Sequence, residues 1–455
     1  MSGLMAIKPL KKSKSGEEVE FFILDNRGHM VNEAPNLIRL GKRKYPELRL
    51  DKEAGQNMIE TSSFPSVNVL RTFVFLMENI KKLIELADQH GYLIYPNATY
   101  PGRIEPKITQ TPRYREQTML FGEKRQKWAA LICGFHYHYT LPKGVFDFQK
   151  RFLKESKNSK LKQALIDSYN LAISFDPVVT ALLQSSPFVQ GQYLAKDSRL
   201  LIYRGGRKLG FMEGKYAKHQ QLGGLPPYKQ TLNDLVFSLK KRQSRWKEMM
   251  EKKGLDPKKS IKGTNILDYT WNPIRINPLG TLELRGMDMN HPKYIMGVAS
   301  LLKFVFRKVY RDFYKVIPSD VGLSEPFKIE GDIIHIPPHT HVRNHLQKES
   351  AYKGFDSDDI YSYTRRFYRF ARHFLDSNYL PVVKPLYSLI EEKQTVSDRI
   401  LKRLKRWGYS KEDNLPADIA AESALKSCEK LLKEVDETES KLYHAYDLED
   451  KSKKK

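Results

Sequence analysis

Thr281-Leu282-Glu283-Leu284-Arg285, followed by Asp288, decides how this chain folds. Polar and apolar residues alternate through it with the period of a β-strand. Thr281, Glu283 and Arg285 therefore share one face, and Leu282 and Leu284 the other. A carboxylate and a guanidinium opposite two leucines suit a polar cavity lined by a sheet. Taken singly, such a segment also matches a solvated edge strand.

Two other segments are built the same way. In Gly16-Glu17-Glu18-Val19-Glu20-Phe21-Phe22-Ile23-Leu24-Asp25, Glu18 and Glu20 share a face and Val19, Phe21 and Ile23 take the other. In Gly134-Phe135-His136-Tyr137-His138-Tyr139, the two histidines share a face. Glu60, in Met58-Ile59-Glu60-Thr61, is a further candidate. Carboxylates suit hard divalent cations, and an imidazole is compatible with Mg²⁺ or Mn²⁺. The apolar run Ala129-Ala130-Leu131-Ile132-Cys133 leads into the histidines, which places them near a cavity rather than in bulk water.

The rest of the chain reads as irregularly alternating elements. Strands are expected at 16–25, 56–61, 129–141 and 200–203. Leu70, Phe73, Met77, Ile80, Ile84 and Ala87 recur at helical spacing and predict a helix that stops at Gly91. Further helices are expected over about 146–184, interrupted near Asp176-Pro177, then over 231–252 and 293–316, and from Asp358 onward. Residues 96–112 and 205–230 read as loops rich in glycine and proline, and a loop as long as the second is often functional. His335, His339, His341 and His345 lack tight tetrahedral metal spacing and read as loop histidines. The expected division is a basic arm (1–14), a catalytic domain (15–378), a helical segment packed on it (379–448) and a lysine-rich disordered tail (449–455).

At 455 residues the chain can bury a large core. It has no apolar run long enough for a transmembrane helix, and residues 1–15 lack the apolar core of a secretory signal. Two cysteines, Cys133 and Cys428, are too few for a disulfide framework, and a cytoplasmic location is expected. The formal charge of +25 is unusual. Its clusters, such as Lys240-Lys241-Arg242 and Arg365-Arg366, recur at helical spacing, as solvated helix faces do. A positive field suits anionic small substrates as well as nucleic acid. No P-loop or Gly-x-Gly-x-x-Gly fingerprint is present, so any nucleotide phosphates must be held by carboxylate-bound metals and arginines.

The ordered motifs resemble those of the glutamate–cysteine ligase 2 / carboxylate–amine ligase family. The resemblance rests on Gly16, Glu18, Glu20 and Phe21; on Pro112-Arg113-Tyr114 ahead of Gly134, His136 and His138; and on Trp271-Asn272-Pro273-Ile274-Arg275 followed by Gly280-Thr281-Leu282-Glu283-Leu284-Arg285 and Asp288. It implies an α+β fold like that of glutamine synthetase: a curved, mainly antiparallel sheet forming an active-site funnel, with helices packed outside. It implies an ATP-dependent ligase of glutamate–cysteine ligase type, with Mg²⁺ or Mn²⁺ as cofactor, acting through an acyl phosphate. In that setting Glu18, Glu20, Glu60, His136, His138 and Glu283 are the expected metal residues, and Arg285 and Arg275 the catalytic ones. Arg113, Ser198, Arg199, Arg204 and Thr281 are expected at the substrate or ATP. The expected partners are ATP, glutamate or a related carboxylate, and an amine acceptor. Neither membrane nor nucleic acid is expected, and a homodimer is left open. The rival readings are a nucleic-acid-binding protein using the basic helices and a ligase fold kept as a non-catalytic binding module.

Overall fold

Ser15–Asp25 (β1) is the strand around which the main sheet assembles. The computed structural model describes residues 13–155, 159–259 and 265–446. Residues 1–12 of the expected basic arm and the expected tail 449–455 lie outside the described residues.

The other strands of this sheet are β2 (Leu50–Lys52), β3 (Met58–Ser62), β4 (Tyr92–Tyr95), β5 (Gly134–Thr140), β6 (Ile274–Asn277) and β7 (Thr281–Asp288). Their order is β6-β7-β5-β1-β3-β2, with β4 pairing the far end of β1, and every pair is antiparallel. The register aligns the polar pairs seen in the sequence. Glu18 lies opposite His136, Glu20 opposite Glu60, and Glu283 opposite both His138 and Arg275. Successive side chains alternate between faces, so one set of aligned pairs makes a continuous polar surface. Val19, Phe21 and Ile23 point the other way and are fully buried.

Helices pack around the sheet, several of them on that apolar side. α1 (Ala34–Lys44) and α2 (Val69–Asp88) flank β2 and β1, and α3 (Pro112–Phe121) follows β4. α4 (Lys160–Leu183) packs on β7, α5 (Ser198–Tyr203) is short, and α6 (Leu232–Glu251) is the basic helix expected there. α7 (Pro292–Asp312) packs on β5 and α4. α8 (Asp358–His373), α9 (Leu380–Glu391) and α10 (Val396–Arg406) lead to α11 (Ala417–Tyr446), which lies against α2, α7 and β4.

Several local expectations are corrected. α4 runs unbroken through Pro177. Its residues from Ala164 to Leu183 are all buried, and burial on every side outweighs the ~3 kcal/mol a mid-helix proline costs. Residues 146–153 form a small antiparallel ribbon rather than a helix start. Leu200–Tyr203 is helical because the Asp197 side chain caps the turn, accepting from the Leu200 N–H at 2.8 Å. The expected strand 129–141 begins only at Gly134, after a 3₁₀ turn at Trp128–Ala130. The expected helix 293–316 ends at Asp312, and Lys315–Pro318 enters a separate small sheet. His335 is on a strand of that sheet, and His345 bonds Asp359 at 2.7 Å.

Candidate active site

The polar face gathers two groups of metal-competent atoms. Glu18, Glu60 and His136 form one, and Glu20, Glu53 and Glu60 the other. Within each, the ligand atoms lie within 4.8 Å of one another, and Glu60 belongs to both. His136 Nδ1 is 3.2 Å from a Glu18 oxygen, and its Nε2 is 3.5 Å from Glu20. His138 sits beside them, with Nε2 3.4 Å from Glu18 and Nδ1 2.9 Å from the Thr281 hydroxyl.

The electrostatics show a site short of positive charge. Burial, then the charges of Glu18, Glu53 and Glu20, push Glu60 well above the usual carboxylate range. Burial and the neighbouring Glu53 push Glu20 up to about 8. Burial also raises Glu53, against the pull of Arg113 and Arg285. Glu18 behaves oppositely: burial resists its ionisation, but the charge of His138 and the hydrogen bond from His136 hold it well below the usual range. Burial and the Arg285 charge push His136 down to about 4, so its ring is a neutral donor near pH 7. Carboxylates in this density with a neutral imidazole fit a hard divalent cation. The buried Nε2 atoms of His136 and His138 have no hydrogen-bond partner among the described residues, which agrees with that fit.

Glu283 and the arginines adjoin these groups. Glu283 is completely buried and accepts from Arg275 Nε at 2.6 Å, Asn277 Nδ2 at 2.5 Å and Arg285 at 3.2 Å. Burial opposes its charge, but Arg275 and Arg285 hold it well below the usual range. It lies outside both carboxylate groups. A register shift between β7 and β5 at Leu284 to Met287 takes Arg285 out of the ladder with β5, while its backbone N–H bonds the Pro273 carbonyl on the β6 side.

A cavity of about 50 Å³ opens between the second carboxylate group and a cationic wall. Arg113, Tyr114 and Gln117 reach it from α3, whose start is fixed by Pro112 and by the Thr111 hydroxyl accepting from the Tyr114 N–H. Arg199 and Tyr203, one helical turn apart on α5, line it too, with Arg285, Lys215 and Trp271. Larger hollows, up to about 500 Å³, lie elsewhere and contain none of these carboxylates.

Most of the sequence candidates converge here, but two do not. The Ser198 hydroxyl donates to the carbonyls of Pro187 and Ala195. Arg204 is buried in an ion pair with Asp176 and also donates to Gln347 at 2.7 Å. Among the charged residues of the site, Glu53 and Lys215 carry no signal of their own in the sequence. Glu53 follows a short strand and Lys215 lies in the 205–230 loop, so neither belongs to an alternating pattern.

Gly134 is needed because a Cβ there would lie 2.2 Å from an Arg199 guanidinium nitrogen. Gly134→Ala is expected to displace Arg199 and to lower kcat/KM at this site by about ten- to a hundredfold, with the fold kept. Steady-state kinetics beside a thermal unfolding curve checks this.

Comparison with known proteins agrees with the geometry. Residues 14–328 match the sequence profile of Glutamate-cysteine ligase family 2. A Rhodococcus jostii (strain RHA1) protein named "Putative glutamate--cysteine ligase 2-1" is 27% identical over 189 residues, which is 40% of this chain and 44% of that protein. The chain thus spans less than half the length of this relative. Among solved structures, glutamate–cysteine ligase from Francisella tularensis in complex with AMP aligns over 97% of this chain and 99% of its own, with a TM-score of 0.53 and 13% identity. A bifunctional glutathione synthetase from Pasteurella multocida aligns over 92% of this chain and 53% of its own, with a TM-score of 0.54 and 13% identity. These likenesses establish the fold, that of the glutamine-synthetase-like ligases.

Proposed function

The chain belongs to glutamate–cysteine ligase family 2, and on that premise we propose that it is an ATP-dependent carboxylate–amine ligase joining glutamate, or a related acid, to an amine through an acyl phosphate. The observation that carries this reading is the pair of carboxylate groups sharing Glu60, with Arg285 and Arg199 on the cavity beside them. Carboxylate oxygen is a poor leaving group, so amide formation in water needs prior activation.

Glu18, Glu60 and His136, and then Glu20, Glu53 and Glu60, are the residues proposed to hold divalent cations, Mg²⁺ or Mn²⁺. When bound, such ions supply charge neutralisation for the nucleotide phosphates. His138, fixed by Thr281, neighbours Glu18 and orients it. Arg285 is proposed to meet the transferring phosphoryl group, with Glu283 and Arg275 setting the direction of its guanidinium. The substrate carboxylate attacks the terminal phosphorus and ADP leaves. The amine nitrogen then attacks the acyl carbon, inorganic phosphate leaves, and the amine proton passes to solvent. Cys133 has no part in this scheme: burial pushes its thiol well above the ordinary range. Dependence on ATP fits a cytoplasmic enzyme, and among the described residues no helix is long and apolar enough to cross a membrane.

The test is ADP release by the purified protein with Mg-ATP and glutamate, alone and with a panel of amines led by cysteine. Release that requires glutamate and rises with one amine is the expected result and identifies the acceptor. No release with any acid–amine pairing would end the ligase reading.

A further inference from the structure

Lys215 is a buried cation that the scheme above does not use. It is 3% exposed, in the long glycine- and proline-rich segment between α5 and α6. Its backbone N–H bonds the Ile202 carbonyl at 2.7 Å, and its ammonium donates to Gln117 Oε1 at 3.0 Å. The rings of Tyr216 and Phe121 lie 5.5 and 5.7 Å away. Tyr216 is in turn stacked on Trp271, with centroids 5.9 Å apart. The ammonium is thus fixed at the cavity wall, but among the described residues it has no carboxylate partner.

That arrangement is costly for a protein without ligand. A buried ammonium is stable only when paired, and an amide oxygen does not neutralise it. Burial, then the charges of Arg113 and Arg285, push Lys215 down to about 7. A packing role alone would be better served by an apolar side chain. Around the cavity, Arg113, Arg199 and Lys215 face Glu20 and Glu53, both assigned above to divalent cations, while Arg285 is already paired with Glu283. The space of about 50 Å³ admits a group of a few heavy atoms, not a nucleotide.

We propose that Lys215, with Arg113 at the cavity mouth, holds a free carboxylate of one ligation substrate, so that this substrate is selected for an anionic group remote from the bond being made. The inference rests on the ligase reading for the identity of the substrates. The carboxylate belongs either to the acid, as a second carboxylate, or to the amine, as that of an amino acid.

The experiment compares two matched pairs, glutamate against 4-aminobutyrate and cysteine against cysteamine. Members of each pair differ by one carboxylate. The wild-type protein is expected to prefer the carboxylate-bearing member of one pair by at least about tenfold in kcat/KM. Lys215→Met is expected to erase most of that preference through KM, and Lys215→Arg to restore part of it. Lys215→Met is also expected to melt no lower than wild type without substrates, since an uncompensated buried charge is removed. The pair affected identifies the source of the carboxylate. Preferences unchanged in Lys215→Met would overturn the proposal.

If no pairing releases ADP, the ligase reading fails and the subsite is decided by binding. The four compounds are then titrated calorimetrically into the Mg²⁺-loaded protein. Binding of a carboxylate-bearing member that Lys215→Met abolishes supports the subsite. Binding indifferent to the substitution, or no binding, overturns it.

Discussion

Glu283→Gln is expected to lower ADP release by at least about a hundredfold and to destabilise the protein by about 3–5 kcal/mol. Both effects have one cause. The Glu283 carboxylate is fully buried and accepts from Arg275, Asn277 and Arg285. Glutamine matches its shape but removes the charge and turns N–H donors toward groups that are themselves donors. Two arginine side chains, only 12% and 14% exposed, are left without their counter-charge. Removing one partner of a buried pair costs far more than the pair contributes, because the other charge stays desolvated. Arg285 also loses the contact that fixes its direction, and misplacement by about an ångström suffices for a large rate loss. Denaturant unfolding and ADP release on the same preparation check the two halves. A variant as stable and as active as wild type would remove Glu283 from the site.

The second large effect concerns divalent cations and pH. In metal-free protein the stability contributed by the raised carboxyls of the site is expected to be lost as pH rises from about 4.5 toward 8. The sign follows from Glu20 and Glu60, whose buried carboxyls have raised pKa values, Glu20 to about 8. A raised acid stabilises the fold while it is protonated. That contribution is complete below the unfolded value of 4.5 and is lost as pH climbs through the folded value. Glu18 and Glu283, both lowered, act in the opposite sense and lose their contribution as pH falls below the ordinary carboxylate range. Saturating Mg²⁺ or Mn²⁺ is expected to stabilise most at the alkaline end, by about 2–3 kcal/mol at a hundredfold excess over Kd. In Glu60→Gln the metal-free profile is expected to flatten and the cation response to shrink. Unfolding midpoints from pH 5 to 9, with and without cation, read both. A cation response that is absent at every pH would dismiss the metal assignment.

Period-two patterning makes most of the site legible in the sequence. Glu18/Glu20, His136/His138 and Glu283/Arg285 each announce a strand with one polar face, and strands of that kind align only in certain registers. What stayed hidden depended on contacts between distant segments. Arg204 looks like any candidate guanidinium until Asp176, 28 residues earlier, is seen against it. Leu200–Tyr203 is apolar enough for either a strand or a helix, and one capping carboxylate at Asp197 decides. Glu53 and Lys215 arrive from a strand end and a loop, where no periodic signal exists. Their place in the site follows from tertiary convergence alone.

The alignment of β1, β3, β5 and β7 also bears on how this gene can change. Sliding β1 by one residue against its neighbours would drive Glu18 and Glu20 into the helix-packed interior and lift Phe21 and Ile23 onto the charged face. Chemistry and solubility would fail together, so a mispaired chain has no half-working form to linger in. Single-residue insertions or deletions inside these strands should therefore be absent from any library of functional variants. The connections between the strands should accept length changes only where Glu53, Arg113, Arg199 and Lys215 keep their places, leaving the remaining loop segments as the ground on which new substrate preferences arise.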